Sequence, residues 1–508
     1  MRDDRPGHPI IDPSASPCLP LIESLESRCL LAGDLGYLAA YGFDKRFDSG
    51  NSITVDSAGN AYVIGTFRAR IDVDPRPSKQ LILKSLNDKL DIFVVKYNPV
   101  GHPVWARRFG SEDDDAGLFV KLGPNGDIYI GGELRKSADF GVGQKSLIVN
   151  SHGEQDAFIA RVDGGGRVVW AGSIGGEMDD FATSIAVGPD GDAYISGTIR
   201  LNGDLDPGPD VRNISTRGVD DTYISRIDGA TGNLKWSRVF GENDTAESAL
   251  GLQVDAQGHV FAAGVFLREV QFQRGNPAFT RESSGGTDVY LAMLSGKGDF
   301  RWIRTFGGDK DESVVDMRLG PTGDLYVTGN FEKDADFDPG AKTRILESIG
   351  DTDAYVARYR SNGALAWARQ FGGQDAFMLA QALSVDAAGN VYTTGEFNDI
   401  ADFDPGPGIR PLAVDKASDA QELENQSEAT NTYISKLDAA GKFAFARQIG
   451  GEDGSVSGRG VGVDAAGNVF VTGAFAGVVD LDPGPGVTIR KTIDDHDESW
   501  VYVLKLLA

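Results

Sequence analysis

The chain has 508 residues and carries 75 Asp and Glu against 49 Lys and Arg, a formal charge of −26. That balance excludes a protein held to nucleic acid by clustered cations, and favours solubility and the attraction of cations or basic partners. No apolar run reaches the ~18 residues of a membrane-spanning helix, and the two cysteines, Cys18 and Cys29, both precede the repeated part of the chain, which therefore tolerates an oxidising compartment.

Residues 1–34 form a segment of their own. Met1 to Pro20 is rich in Pro, Asp and Ser and reads as disordered. Leu21 to Asp34, LIESLESRCLLAGD, lacks the continuous apolar core of ~7–15 residues that a secretory signal needs, because Glu23, Glu26 and Arg28 interrupt it. Through Leu25, Glu26, Arg28, Leu30 and Leu31 it resembles a short LE-x-R-x-LL element found near the N-termini of planctomycete surface and exported proteins. The resemblance implies an exported, extracellular or cell-surface protein. The other reading is a short amphipathic helix resting on the repeats.

From Leu35 onward one pattern returns seven times: VDSAGNAYVIG from Val55, LGPNGDIYIGG from Leu122, VGPDGDAYISG from Val187, VDAQGHVFAAG from Val254, LGPTGDLYVTG from Leu319, VDAAGNVYTTG from Val385 and VDAAGNVFVTG from Val463. Apolar runs bounded by Asp, Gly and Asn predict β-hairpins. The aromatics of the second strands, Tyr62, Tyr129, Tyr194, Phe261, Tyr326, Tyr392 and Phe470, lie 67, 65, 67, 65, 66 and 78 residues apart. A period of about 66 suits a four-stranded propeller blade. Repeat 5 predicts the four strands most clearly: a over 315–319, b over 324–329, c over 353–359 and d over 365–371. Strand c is apolar on both parities, the pattern of a sheet covered on both faces. Strand d carries an aromatic, Trp105, Trp170, Trp236, Trp302, Trp367 or Phe445, expected between blades.

The last repeat supplies strands a, b and c and then ends at Ala508. A spare strand-d sequence, Tyr37-Leu-Ala-Ala-Tyr-Gly42, lies at the other end and aligns with Trp105-Ala-Arg-Arg-Phe-Gly110. The expectation is an all-β, single seven-bladed β-propeller over 35–508, its ring closed by the N-terminal strand completing the last blade. The 12 extra residues of repeat 6 are expected in a b–c loop around Ala417 to Thr430. The repeats resemble the bacterial SBBP β-propeller repeat, "D-x-Y-V-x-K-L-D … G … W-A … F-G-G … A-V-D-x-x-G-N-x-Y-V-x-G". That resemblance implies a propeller, usually on exported proteins, and no particular activity.

The sequence holds no G-x-S-x-G, G-x-x-x-x-G-K or H-E-x-x-H pattern. The histidines His8, His102, His152, His259 and His496 are scattered, and Gly164 to Gly166 fall in a c–d turn rather than a phosphate loop. One constellation exceeds what hairpins require. Between strands b and c stands Asp-x-Asp-Pro, as Asp72/Asp74, Asp204/Asp206, Asp336/Asp338, Asp402/Asp404 and Asp480/Asp482. Repeat 2 keeps only Asp139, and repeat 4 has Gln271 and Gln273. Carboxylates two apart project to one side of an extended chain. They read either as turn chemistry, with Asp accepting local N–H groups and Pro setting φ, or as ligands of a hard cation, calcium.

The b–c and d–a connections should share one face, and the d–a connections are acidic too: Glu112 to Asp115, Glu177, Asp179, Asp180, Asp309, Asp311, Glu312, Glu452 and Asp453. The expected function is a non-enzymatic interaction module that binds a protein or glycan, or a cationic partner, through this face, with calcium as the one cofactor. The alternative is a polysaccharide-acting hydrolase or lyase with a site on the face or in the central channel.

Overall fold

The computed structural model describes residues 35–42, 47–76, 78–141, 146–242, 247–414, 429–492 and 498–508, without the side chains of 452 and 453. The N-terminal segment with its LE-x-R-x-LL element, and residues 417–428 of the long loop of repeat 6, lie outside the described residues.

The chain is all-β, and each repeat forms a four-stranded antiparallel sheet in the order a-b-c-d. In repeat 1 the strands are Ser49–Val55, Ala61–Arg68, Leu90–Tyr97 and Pro103–Phe109. In repeat 5 they are Asp316–Leu319, Leu325–Phe331, Asp353–Tyr359 and Leu365–Phe371. Strands c and d match the sequence reading, and strands a and b each begin one residue later. The order recurs in repeats 2, 3, 4 and 6. One strand, Phe443–Val463, serves both as d of repeat 6 and as a of repeat 7.

The turn chemistry of the repeat explains its hairpins. In the a–b turn of repeat 1, Asp56 Oδ1 accepts the N–H groups of Ala58 (3.0 Å) and Asn60 (2.9 Å). Gly59 then takes φ +78°, a left-handed conformation that suits glycine. Asp386 and Asp464 repeat the bond pattern, with Gly389 and Gly467 at φ +83° and +85°.

The N-terminal strand Leu35–Tyr41 pairs antiparallel with Trp500–Leu506, with Ala39 opposite Val503. Repeat 7 thereby gains its fourth strand from the far end of the chain, as the spare strand-d sequence predicts. The a strands of consecutive repeats lie side by side, and that of repeat 7 lies against that of repeat 1. Asn51 joins neighbours on both sides: its Nδ2 donates to the Gly117 carbonyl (2.9 Å), and its Oδ1 accepts from Arg459 (3.3 Å). Between the sheets lie seven apolar clusters, each drawing on two neighbouring repeats; one joins Phe306 of repeat 4 to Phe337, Tyr355 and Tyr359 of repeat 5. The strand-d tryptophans belong to these clusters or pack against them, and the indole N–H groups of Trp105, Trp170, Trp236 and Trp367 reach the next c–d turn, as from Trp105 to the Gly164 carbonyl (3.1 Å) and from Trp170 to Gly229 (2.9 Å).

Strand d is an edge, and an exposed edge invites pairing with another chain. An arginine two residues after the aromatic blunts it. Arg369 donates to the Ala368 carbonyl and to Gly441 of the neighbouring turn, both at 2.9 Å, and stacks over Trp367. Arg107, Arg238, Arg304 and Arg447 likewise cover the carbonyl that precedes them.

The b–c connection holds more order than four strands per repeat anticipate. It forms a short two-stranded ribbon, such as Arg70–Asp72 with Ile82–Lys84, Asp334–Asp336 with Ile345–Glu347, or Ile400–Asp402 with Pro411–Ala413. The Asp-x-Asp-Pro motif sits where the first ribbon strand ends.

Candidate functional site

The ribbons are the repeated feature of the b–c and d–a face. Each first aspartate closes its own ribbon. Asp336 Oδ1 accepts the N–H groups of Asp338 (3.0 Å) and Arg344 (2.7 Å). The equivalent pairs are Asp206 and Arg212 on Asp204, Asp404 and Arg410 on Asp402, Asp482 and Thr488 on Asp480, and Asp74 and Leu81 on Asp72. The second aspartate turns the Pro-Gly corner: Asp206, Asp338, Asp404 and Asp482 accept from Gly208, Gly340, Gly406 and Gly484 at 2.8–2.9 Å. Asp74 instead takes the Arg76 backbone and guanidinium, which hold its carboxyl below the usual carboxylate range.

The exceptions fit the same geometry. In repeat 2, lone Asp139 accepts from Gly141 (2.8 Å) and Leu147 (2.9 Å), and in repeat 4 Gln271 takes the Gly275 N–H (2.9 Å). The ten predicted aspartates thus sit in five separate ribbons, two to a ribbon. Among the described residues no three His, Cys, Asp or Glu side chains converge as a metal cluster.

The residue between the two aspartates carries the packing. Phe337 is fully buried, with ring centroids 5.2 Å from Phe306 of repeat 4 and 4.9 Å from Tyr355. Phe371–Phe403 (5.7 Å) and, in the divergent ribbons, Phe109–Phe140 (5.1 Å) and Phe240–Phe272 (5.2 Å) repeat the arrangement, each joining the last aromatic of one strand d to the ribbon of the next repeat. Backbone pairing follows the same path, Gly307 with Asp336, Gly372 with Asp402 and Gly450 with Asp480. The motif is therefore a latch: its carboxylates close the ribbon, and the ribbon wedges against the neighbouring repeat.

Sequence reasoning missed the acids of strand c, and it placed Asp115, Asp180 and Glu312 among the acids of the face without foreseeing their burial. Two residues before the aromatic of strand c stands a buried carboxyl, Asp91, Asp156, Asp221, Asp288 or Asp353, and the d–a connection often ends on another, Asp115, Asp180, Glu247 or Glu312. The later acid clasps two backbones. Asp115 accepts the N–H of Ser111, after strand d, and that of Arg135, in strand b (2.8 Å); Asp180 does the same for Gly176 and Arg200. Burial pushes Asp91 and Asp115 up to about 6 and Asp180 up to about 7. The signal was present: an acid heads Asp-x-Tyr/Phe every 65–67 residues, hidden because it reads as a polar strand start.

The remaining acids of the d–a connections divide. Asp113 is bridged by Lys89 (3.0 Å) and Lys136 (3.2 Å), which hold it well below the usual carboxylate range, and Asp114 pairs with Arg68. Glu177, Asp309 and Asp311 are exposed. In strand a of repeat 2, burial lowers Lys121 to about 7, with Arg318 adding to the shift.

The ribbon tips present apolar groups outward. Val211, Ile409 and Val487 occupy corresponding positions of repeats 3, 6 and 7 and are 71, 75 and 73% exposed. A shallow groove of about 440 Å³ opens between the ribbon of repeat 3 and its own strand d, lined by Asp206, Val211, Arg212, Lys235, Trp236 and Arg238.

Comparison with known proteins gives distant relatives. Regulatory protein FlaEY of Caulobacter vibrioides is 26% identical over 198 residues, 39% of this chain and 20% of that protein. An uncharacterized WD repeat-containing protein of Acanthamoeba polyphaga mimivirus is 22% identical over 473 residues, 79% of this chain and 33% of that protein. The chain thus spans a third or less of either relative. Among solved structures, a europium-containing methanol dehydrogenase aligns over 94% of this chain and 93% of its own, at 11% identity and a TM-score of 0.37. Over residues 444–474, from strand d of repeat 6 into strand b of repeat 7, the chain matches the model of the SBBP family, described as a beta-propeller repeat.

Proposed function

We propose that the seven sheets close into a seven-bladed propeller whose ribbon face is a non-enzymatic interaction surface of an exported or cell-surface protein. The pairing of Leu35–Tyr41 with Trp500–Leu506 and the succession of neighbouring a strands support the ring. The observation that carries the functional reading is the recurrence of one exposed β-branched residue, Val211, Ile409 and Val487, at the tips of three ribbons. An apolar group held out on a rigid, latched ribbon and repeated around a ring offers several weak contacts to one partner, and linked contacts gain affinity through effective concentration. The surrounding acids, with a net charge of −26, favour a partner with cationic groups.

The test is a protein- and glycan-array screen, with and without millimolar calcium, of the wild type and of the Val211→Asp/Ile409→Asp/Val487→Asp variant. Binding by the wild type that the variant loses supports the reading. Ligands held equally by both would refute the role of the tips, and release of products from an arrayed polysaccharide would favour a hydrolase or lyase. Wild-type binding seen only in the presence of calcium would support an ion-dependent form of the same reading.

A further inference from the structure

The joint between repeats 4 and 5 buries two carboxyl groups beside one glycine. Asp288, which opens strand c of repeat 4, and Glu312, which closes the following d–a connection, are 3% and 1% exposed. Both flank Gly307: Asp288 Oδ1 and Glu312 Oε2 each lie within 3 Å of where a β-carbon on that glycine would stand. Asp288 Oδ2 accepts the Ser284 N–H (3.1 Å) and Glu312 Oε2 accepts the Gly308 N–H (2.9 Å). That leaves Asp288 Oδ1 and Glu312 Oε1 buried without a hydrogen-bond partner. Buried oxygens of this kind are uncommon in folded proteins and call for a missing donor. Asp288, Asp311 and Glu332, all acidic, act on Glu312 from the surrounding elements, and Ser284 is a polar neighbour of Asp288. Two like charges in this setting oppose joint ionisation.

We propose that Asp288 and Glu312 share one proton in the folded protein, one as the carboxylic acid and the other as its carboxylate, so that the joint between repeats 4 and 5 is a pH-sensitive clasp. Folding takes up the proton from solvent and no bond other than O–H is made or broken. The clasp is closed in mild acid and neutral solution and loosens in alkali, when the proton leaves and two buried carboxylates face one another. Burial pushes Asp288 up to about 6 and Glu312 up to about 8, which agrees with that direction. Asp91 and Asp115 flank Gly110 in the same way, at 2.5 and 3.2 Å from the corresponding position, but there Arg108 supplies a counter-charge to Asp91 and Asp114 adds a like one. The Asp288–Glu312 pair is accordingly the sharper sensor.

A group whose folded pKa is raised contributes stability that is complete below its unfolded value, near 4, and is lost as pH rises through the folded value. The experiment measures the urea midpoint of the full chain between pH 5.5 and 9, in EDTA, for wild type, Glu312→Gln and Asp288→Asn. The midpoint of the wild type should fall across this range, and either amide variant should show a smaller fall, because the remaining carboxyl no longer faces a like charge. Each unit of pKa removed is a tenfold smaller change in the folding equilibrium across the range. An alkaline slope in both variants equal to that of wild type overturns the proposal. Infrared difference spectra labelled at aspartate and at glutamate carboxyls read the proton directly. A protonated-carboxyl band that is lost with a midpoint above pH 7 and is removed by Glu312→Gln or by Asp288→Asn supports the clasp, and a spectrum of wild type with no protonated carboxyl at pH 6 overturns it. Millimolar calcium that raises the wild-type midpoint but not that of Glu312→Gln would mean that a cation, not a proton, joins the pair, and would overturn the proposal equally.

Discussion

Replacing Phe337 with Ala tests the ribbon as a latch between repeats. The side chain is fully buried and meets three rings, Phe306 of repeat 4 at 5.2 Å, Phe331 at 5.4 Å and Tyr355 at 4.9 Å. Truncating such a phenylalanine removes its transfer free energy and leaves a cavity, together costing about 3–5 kcal/mol. With an unfolding entropy of about 2.1 cal/mol/K per residue, unfolding of the whole repeated part carries about 1 kcal/mol/K, so the midpoint should fall by about 3–5 °C. If repeats 4 and 5 unfold as a smaller unit, the fall is larger. Differential scanning calorimetry reads it, with Ile409→Ala as the control. Ile409 is 75% exposed at a ribbon tip and its truncation should leave the midpoint nearly unchanged. A loss below about 1 °C for Phe337→Ala would refute the reasoning, since it would mean that the ribbon does not hold the neighbouring repeat.

Four further outcomes follow from the same contacts. Asp402→Asn/Asp404→Asn keeps the Oδ1 acceptors that take the N–H groups of Asp404, Arg410 and Gly406, so it should cost less than Asp402→Ala/Asp404→Ala; calorimetry in EDTA and in millimolar calcium, with magnesium as control, reports as well whether these carboxylates also hold an ion, through a calcium-dependent shift that the Asn pair abolishes. Arg369→Ala uncovers the Ala368 carbonyl on a sheet edge and should raise association, read by light scattering, more than it lowers the midpoint. On the acid side, Asp113 and Asp228 are held well below the usual carboxylate range by Lys89 with Lys136 and by Lys235; their contribution is present above about pH 4 and lost as pH falls through the folded value, so Asp113→Asn/Asp228→Asn should flatten the acid limb of the midpoint–pH curve. Deleting Ser418 to Glu428 should leave the calorimetric midpoint nearly unchanged, because changing the length of a connection alters closure entropy by only about 0.6 kcal/mol per twofold change.

The fold was legible because it is written seven times. Gly59 recurs in every repeat with an aromatic three residues later, and a turn, a positive φ and a buried aromatic follow from each copy. The spare Tyr37–Gly42 segment announced its pairing with Trp500–Leu506 because a strand-d sequence without its own a, b and c needs a partner elsewhere. The ribbons were less legible. Their strands are three residues long, too short for periodicity to register, and alternation in Asp-Phe-Asp reads as a turn as readily as a strand. What the aspartates do depended on where the chain returns: the N–H of Arg344, eight residues beyond Asp336, meets its carboxylate only once the ribbon has folded back. Burial of Asp288 and Glu312 was hidden for a related reason. An acid at a strand start is ordinarily solvated, and only the approach of the next repeat's d–a connection dries it.

The proposed closed ring rests on the pairing of the first strand with the last, and a designed cross-link measures that directly. Cys18→Ser/Cys29→Ser removes the two native thiols, and Ala39→Cys/Val503→Cys places new ones on residues that face each other in the Leu35–Tyr41 and Trp500–Leu506 pair. Mild oxidation should give an intramolecular disulfide in nearly every molecule, seen as faster migration on a non-reducing gel and as linked peptides 39 and 503 in the mass spectrum. Free thiols after oxidation, or cross-links found only between molecules, would contradict the closure on which the account rests.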